Sequence, residues 1–208
     1  MIGKKENETS RTLRFVTAAS LFDGHDAAIN VIRRLIQSKG AEVVHLGHNR
    51  SVCEVVRAAI QEDVDAIAIS SYQGGHMEYF TYLLDLLKEY GAEHIKVFGG
   101  GGGTITLEEI NLLESAGVSR IYHPGHGMKM GLIGMIDDIF QIVRAGPTDK
   151  RTKICVDDHY ERYVKQDINN EIKISQTISA IENRVIPTDI LNELKIKWKE
   201  SICGTPVI

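Results

Sequence analysis

Cysteine is scarce in this sequence, and its scarcity excludes folds that depend on sulfur chemistry. The three cysteines, Cys53, Cys155 and Cys203, are odd in number and far apart, and no C-x-x-C pair is present. A disulfide framework or a cysteine zinc site is therefore not expected. Unpaired thiols are typical of a reducing compartment, so we expect a cytoplasmic protein.

Long apolar runs and an excess of positive charge are also missing. No run approaches the roughly 20 apolar residues that cross a bilayer, and the polar N-terminal residues do not resemble a signal peptide. We therefore expect no membrane contact. The formal net charge is −4, with both signs intermixed. Because proteins bind phosphate backbones with a basic stripe, nucleic acid is not an expected partner.

Strand-like apolar runs alternate with helical patterns five times along the chain. The strand-like runs cover residues 13–19, 41–46, 66–70, 95–98 and 120–122. Between them, apolar residues recur with the spacing of one helical face, and Ser51 with Glu54 matches the capping box that begins a helix. Thr106 and Glu109 match it again. Five such units predict an α/β fold over residues 13–145, a doubly wound five-stranded parallel sheet of flavodoxin-like or Rossmann-like type.

The loop after the first predicted strand carries a histidine beside a carboxylate, in the order Asp23-Gly24-His25-Asp26. A carboxylate that accepts the proton of one ring nitrogen orients the imidazole and makes the other nitrogen a better metal donor. A single histidine is too few for a protein zinc site. It suffices for a metal held by a macrocycle with one free axial position. Taken alone, however, the motif is better explained by loop residues that cap the first helix.

Two further loops follow strands, and such sheets bind ligands at the carboxyl ends of their strands. Ser70 ends the third predicted strand, and five consecutive glycines, Gly99 to Gly103, follow the fourth. The glycine run is neither a P-loop nor a dinucleotide fingerprint. It either lets the backbone approach something large and flat or forms a flexible turn. Together the three loops predict a groove at the sheet edge with a metal ligand at its mouth.

These residues resemble the cobalamin-binding domain of adenosylcobalamin-dependent acyl-CoA mutases of the methylmalonyl-CoA mutase type. The signature of that family reads D-x-H-x-x-G, then S-x-L, then G-G, and the matching segments here are residues 23–28, 70–72 and 99–100. The resemblance implies that the cofactor binds base-off. Its dimethylbenzimidazole tail would leave cobalt and enter the groove beside the sheet, and His25 would replace the tail as the lower axial ligand.

The resemblance also implies roles for the residues around this histidine. Asp23 would orient His25, and Ser70 would hydrogen-bond the benzimidazole. The adjacent glycines would make room for the tail, so that a branched side chain at Gly99 or Gly100 should block it. The expected cofactor-binding residues are Asp23, Gly24, His25, Asp26, Ser70, Tyr72, Gly99, Gly100, Gly101, His123, Pro124 and Gly125.

Within this family the chain is most similar to the fused isobutyryl-CoA mutases, in the segments 47–51 and 70–76 and in the glycine run. In those fusions a cobalamin domain leads through a linker into a P-loop GTPase chaperone domain and then a substrate-binding barrel. The resemblance implies the cofactor module of an isobutyryl-CoA/n-butyryl-CoA mutase, with no catalytic residue in this chain. Two positions depart from the family signature. Ala28 replaces a glycine, and Tyr72 replaces a leucine and is expected to re-line the tail pocket.

The resemblance divides the chain into three parts. They are an N-terminal arm at 1–12, the cobalamin-binding domain at 13–145, and a mainly helical interdomain linker at 146–208 that ends where the GTPase domain should begin. In the linker we expect one apolar helical face at Ile174, Ile178 and Ile181, and another over residues 190–198. These faces are too weak to build an independent core.

Two other functions are compatible with the predicted fold. A corrinoid carrier for methyl transfer would use the same fold and the same histidine, but such carriers usually bring a helical cap domain ahead of the sheet, and few residues precede the first strand here. A flavodoxin-like signalling domain would need an acidic cluster or a flavin phosphate loop after the first strand. The short segment before the first strand counts against the carrier, and Asp23-Gly24-His25 supplies neither feature of the signalling domain. We therefore favour the acyl-CoA mutase module.

Overall fold

The computed structural model describes residues 11–146 and 168–182, with the single positions 188, 191, 192, 195 and 196. The strands are β1 (Arg14–Ser20), β2 (Glu42–Arg50), β3 (Ala66–Ser70), β4 (Lys96–Gly100) and β5 (Arg120–Tyr122). The helices are α1 (Ala27–Ser38), α2 (Val52–Gln61), α3 (His76–Glu89), α4 (Leu107–Ala116), α5 (Pro124–Ala145) and α6 (Ile168–Glu182). Across these described residues, no helix is both long and apolar enough to cross a membrane.

The five strands form one parallel sheet in the order β2-β1-β3-β4-β5. The chain order reverses direction between β1 and β3, so the loops that follow these two strands open at a common point on the carboxyl edge. Both strands are almost entirely buried, because helices cover both faces of the sheet. The predicted doubly wound five-stranded fold is confirmed.

Two apolar layers hold the helices to the sheet. On one face, α2, α3 and α4 pack over side chains such as Val16, Ile67, Ile69, Val97 and Ile121. On the other face, α1 and α5 pack over the alternate side chains, among them Phe15, Ala68, Phe98 and Tyr122. Since successive side chains of a strand point to opposite faces, this alternation assigns every residue at the strand ends to one layer or the other.

Helix starts follow the capping chemistry that the sequence predicts. The Ser51 hydroxyl accepts from the Glu54 amide at 3.3 Å, and the Glu54 carboxylate accepts from the Ser51 amide at 2.9 Å. Thr106 and Glu109 form the same box. Helix α5 begins with an arrangement that the sequence reasoning missed, in which the His123 ring accepts from the Gly125 amide at 3.1 Å. Helix α5 is interrupted at Gly131, where the backbone is non-helical with a φ of 66° and a ψ of 172°.

Helix α6 contains the three isoleucines of the first predicted helical face and lies against α2. Ser175 and Ser179 are buried, whereas Ile178 and Ile181 are exposed. The Ser175 hydroxyl donates to the carbonyl of Ile60 at 2.7 Å, at the end of α2. The serine side of α6 therefore packs inward, while the isoleucines of the predicted apolar face are half-buried at Ile174 and exposed at the other two positions. Most of the second predicted face, over 190–198, lies outside the described residues.

Candidate functional site

A buried carboxylate and an exposed imidazole form the centre of the candidate site, in the loop between β1 and α1. The side chain of Asp23 is 0% exposed and that of His25 is 70% exposed. Asp23 Oδ1 accepts from the His25 backbone amide at 2.8 Å and lies 2.9 Å from His25 Nδ1. Because a carboxylate accepts hydrogen bonds, Nδ1 carries the proton. The lone pair of Nε2 is therefore free to bind a metal.

The loop between β1 and α1, residues 21–26, is called the histidine loop. The second oxygen of the Asp23 carboxylate joins it to the loop after β3. Asp23 Oδ2 accepts from the Tyr72 backbone amide at 2.6 Å. The ring of Tyr72 also lies beside His25, with 5.5 Å between ring centroids and 41° between ring planes. The hydrogen bond predicted between Asp23 and His25 is present, and the contact of both with Tyr72 is an addition that the sequence reasoning missed.

A third segment fixes the histidine loop from the β2 side. The Phe22 amide donates to Asn49 Oδ1 at 2.8 Å, and the Asn49 amide donates to the Asp23 carbonyl at 3.2 Å. Both Phe22 and Asn49 have positive φ, 63° and 56°, a conformation that is uncommon outside glycine. These tertiary contacts hold the loop in one shape. Asn49 lies in the segment 47–51, which carries part of the family resemblance described above, but its contact with the histidine loop was not predicted.

A cavity of about 400 Å³ opens beside this loop, on the face covered by α1 and α5. Its floor contains Ala68, Ser70, Phe98, Gly100 and Tyr122 from three adjacent strands, and its walls include Ile32 of α1 with Met135 and Ile139 of α5. The strand register pairs Ser70 with Gly100 and Gly100 with Tyr122. The lining is almost wholly apolar, so the cavity suits a flat, largely apolar group.

Ser70 contributes a polar group to this apolar floor. It is buried, and its hydroxyl has no hydrogen-bond partner among the described residues. The neighbouring Ser71, in contrast, accepts a hydrogen bond from the Ser20 hydroxyl at 2.9 Å. Because Ser70 lines the cavity, its hydroxyl is available to hydrogen-bond a ligand there.

The glycines at the end of β4 and just after it have different roles from one another. A Cβ atom at Gly99 would lie 2.5 Å from Phe80 Cζ and 2.6 Å from Ile121 Cδ1. Both atoms belong to the core under α3 and α4, so the prediction that a side chain at Gly99 would enter the tail groove is wrong. A Cβ atom at Gly100 would face the cavity, with the Tyr122 carbonyl oxygen at 3.5 Å. A Cβ atom at Gly101 would collide with the Ser71 carbonyl oxygen.

The remaining predicted residues divide between the cavity and the solvent. His123 and Pro124, at the start of α5, line the cavity, whereas Gly125 does not and instead donates its amide to His123. Gly24 and Asp26 are exposed beside the histidine and lie outside the cavity lining. They can therefore shape the loop or contact a ligand above it, but they do not contact a group inside the cavity.

His76, at the start of α3, bridges two neighbouring segments. It is buried, with Nδ1 at 3.1 Å from the Gln73 carbonyl and Nε2 at 3.2 Å from Glu109 Oε2. The pKa of Glu109 is lowered, chiefly by the hydrogen bond from the Thr106 amide and also by His76. Within the described part of the chain, no three His, Cys, Asp or Glu side chains cluster as a metal site.

Comparison with known proteins identifies the family. Residues 13–132 match the B12 binding domain model. The chain is 52% identical to the fused isobutyryl-CoA mutase of Cupriavidus metallidurans, over 94% of its own length but 17% of the relative's. It is 31% identical to the methylmalonyl-CoA mutase of Escherichia coli, over 58% of its own length and 17% of that protein.

The fold is also similar to that of a solved structure. A cobalamin-binding protein from Desulfitobacterium hafniense aligns with a TM-score of 0.53 and 20% identity, over 63% of this chain and 59% of the other. At that identity the likeness shows the shared fold alone. The family model covers more than half of the chain, and the expected resemblance to acyl-CoA mutases is confirmed by the curated relatives. The chain belongs to the B12-binding domain family.

Proposed function

We propose that this chain binds adenosylcobalamin base-off, with His25 Nε2 as the lower axial ligand of cobalt. The observation that carries the proposal is the hydrogen bond between Asp23 Oδ1 and His25 Nδ1, at 2.9 Å. It fixes the tautomer in which Nε2 carries the lone pair, and it strengthens Nε2 as a donor. The exposure of the His25 side chain leaves that nitrogen open to a large planar ligand.

The dimethylbenzimidazole tail is proposed to occupy the cavity under α1 and α5. An apolar cavity of about 400 Å³ suits a flat bicyclic base. The Ser70 hydroxyl, a polar group in the otherwise apolar lining, would hydrogen-bond a nitrogen of the base. Gly100 would leave the floor flat, and His123 and Pro124 would border the base from the start of α5.

Bound adenosylcobalamin supplies radicals by homolysis of its cobalt–carbon bond. The contribution of this chain is to hold the cofactor in place. Asp23 keeps the proton of His25 on Nδ1, and the cavity would hold the benzimidazole when the cofactor is bound. These are binding and positioning roles, and we assign no catalytic residue among them.

The wider function is proposed from the relatives. Since the chain spans 17% of the length of its fused isobutyryl-CoA mutase relative, we propose that it is the cofactor module of a cytoplasmic enzyme that interconverts isobutyryl-CoA and n-butyryl-CoA. Its partners would be a substrate-binding barrel and a P-loop GTPase chaperone domain, reached through a linker at 146–208. The curated mutase relatives favour this function over a corrinoid carrier for methyl transfer.

An absorption titration with adenosylcobalamin tests this proposal. The cofactor spectrum should shift to the base-off, His-on form on addition of the full chain. His25→Ala should bind more weakly and give a base-off spectrum without a histidine ligand. His48→Ala is the matched control, because His48 is exposed and lies outside the cavity lining. A His25→Ala protein with the wild-type spectrum would refute the ligand assignment.

A further inference from the structure

We propose that Tyr72 is a positioning residue for the axial ligand, because its aromatic ring forms a side wall that fixes the plane of the His25 imidazole. This inference rests on the proposed function. The two rings lie 5.5 Å apart between centroids, with 41° between their planes. That separation is within the range over which aromatic rings attract each other beyond simple burial.

A second contact to His25 is needed because its hydrogen bond fixes only one atom. Asp23 Oδ1 holds Nδ1 at 2.9 Å, which leaves the ring free to tilt about that bond. The side chain is 70% exposed, so packing on most of its surface is absent. Among the described residues, Tyr72 makes the only aromatic ring contact with His25. The direction of the Nε2 lone pair therefore depends on Tyr72 as well as on Asp23.

Tyr72 can act as a wall because it is itself held at two points. Its backbone amide donates to Asp23 Oδ2 at 2.6 Å, so one carboxylate anchors both residues of the ring pair. The other edge of the ring lies over Gly102, where a Cβ atom would be 2.7 Å from Tyr72 Cε1. Gly102 has a φ of 59°, which favours glycine. The glycine loop thus leaves just enough room for the ring to stay beside His25.

The aromatic ring, and not the hydroxyl, carries this role. No hydrogen bond to the Tyr72 hydroxyl is made by any residue that the structure describes. Phenylalanine should therefore replace Tyr72 without loss, whereas leucine keeps the apolar volume and removes the flat face. The pair Tyr72→Phe and Tyr72→Leu separates the aromatic contact from general packing.

The first test uses the full chain without cofactor. Proton NMR of the His25 ring should show ring-current shifts in wild type and Tyr72→Phe that disappear in Tyr72→Leu. Unchanged His25 shifts in Tyr72→Leu would overturn the proposed contact. Should Tyr72→Leu fail to fold, judged by its thermal transition, Tyr72→Met provides the same comparison.

The second test uses cob(II)alamin bound to the same variants. The paramagnetic resonance spectrum should show nitrogen splitting from His25 in wild type and Tyr72→Phe. In Tyr72→Leu the ratio of His-on to His-off cofactor should fall roughly two- to tenfold, the range expected for loss of one aromatic pair. An unchanged ratio in Tyr72→Leu overturns the positioning role and leaves the proposed function intact. Absence of histidine splitting in wild type would instead refute the proposed function, and the positioning role with it.

Discussion

Gly99 and Gly100 are neighbours in β4, yet side chains added to them would point to opposite faces of the sheet. At Gly99 a Cβ atom would lie 2.5 Å from Phe80 Cζ in the core under α3. At Gly100 it would face the cavity, where the nearest atom is the Tyr122 carbonyl oxygen at 3.5 Å. Consecutive glycines therefore meet two separate requirements, one for core packing and one for an open cavity floor.

This difference predicts distinct effects for the two substitutions. Gly100→Val should lower affinity for cobalamin about five- to a hundredfold, the equivalent of the ~1–3 kcal/mol that overfilling a packed site costs. Cobinamide lacks the tail and should bind Gly100→Val as it binds wild type. Gly99→Ala should instead lower the free energy of unfolding by about 1–3 kcal/mol, because core atoms must move. Titrations with both corrinoids and denaturant unfolding measure these effects, and equal loss of both corrinoids in Gly100→Val would count against a tail in the cavity.

Ser70→Ala should weaken cobalamin binding without affecting cobinamide. The variant removes a hydroxyl that faces the cavity, and a hydrogen bond of this kind is worth about 0.5–1.5 kcal/mol, or roughly two- to tenfold in affinity. Ser71→Ala is the control, since the Ser71 hydroxyl pairs with Ser20 inside the protein and its loss should affect stability. If Ser70→Ala binds both corrinoids as tightly as wild type does, the hydroxyl does not contact the tail.

His45 should make stability fall as the solution becomes acidic. Burial lowers the pKa of His45, and the nearby charge of Arg33 lowers it further, so folding favours the neutral imidazole over the protonated one. As the pH falls below about 6.5, the unfolded chain takes up a proton before the folded chain does. The stabilisation by the neutral ring is thus present above that pH and lost below it.

The comparison of wild type with His45→Gln isolates this contribution. Between pH 7 and pH 5, on either side of the usual histidine pKa of about 6.5, the free energy of unfolding should decrease more steeply for wild type than for the variant. Urea unfolding at a series of pH values gives both slopes. Parallel slopes would show that His45 does not titrate differently in the two states.

The packing of α6 predicts which of its residues stabilise the protein. Ser175→Ala should cost about 0.5–1.5 kcal/mol, because it removes the Ser175 hydrogen bond to the Ile60 carbonyl, which keeps the bond from the Asp63 amide. Ile178→Ser should change stability by less than about 0.5 kcal/mol, since Ile178 is exposed. Thermal or urea unfolding of the two variants distinguishes the serine face from the isoleucine face. A large loss in Ile178→Ser with none in Ser175→Ala would reverse the assignment.

Local patterns were sufficient to predict the sheet, the capping boxes and the pair of Asp23 and His25. Each of these depends on residues close together in the sequence, where periodicity and short motifs are informative. The face to which a side chain at Gly99 would point was not predictable in the same way. It depends on the residue at which side chains of β4 begin to alternate between the two faces of the sheet. A shift of one residue moves a side chain to the other face of the sheet.

Contacts between segments that are distant in the sequence account for the other features that the sequence did not predict. Tyr72 and Asn49 reach the histidine loop only after β1, β2 and β3 have paired, and no local pattern marks either residue as its neighbour. The buried face of α6 likewise depends on a carbonyl at the end of α2. The α6 sequence alone shows an apolar face of isoleucines. It does not show that polar groups of other segments contact the serines of the same helix.

The most direct test of the account is the paramagnetic resonance spectrum of cob(II)alamin bound to protein labelled uniformly with nitrogen-15. If His25 coordinates cobalt, each line should be split into a doublet by the labelled histidine, in place of the triplet seen with unlabelled protein. His25→Ala, equally labelled, should show no such doublet. A triplet that persists with labelled wild-type protein would mean that the nitrogen comes from the cofactor's own tail, and it would contradict the central claim that His25 replaces the benzimidazole.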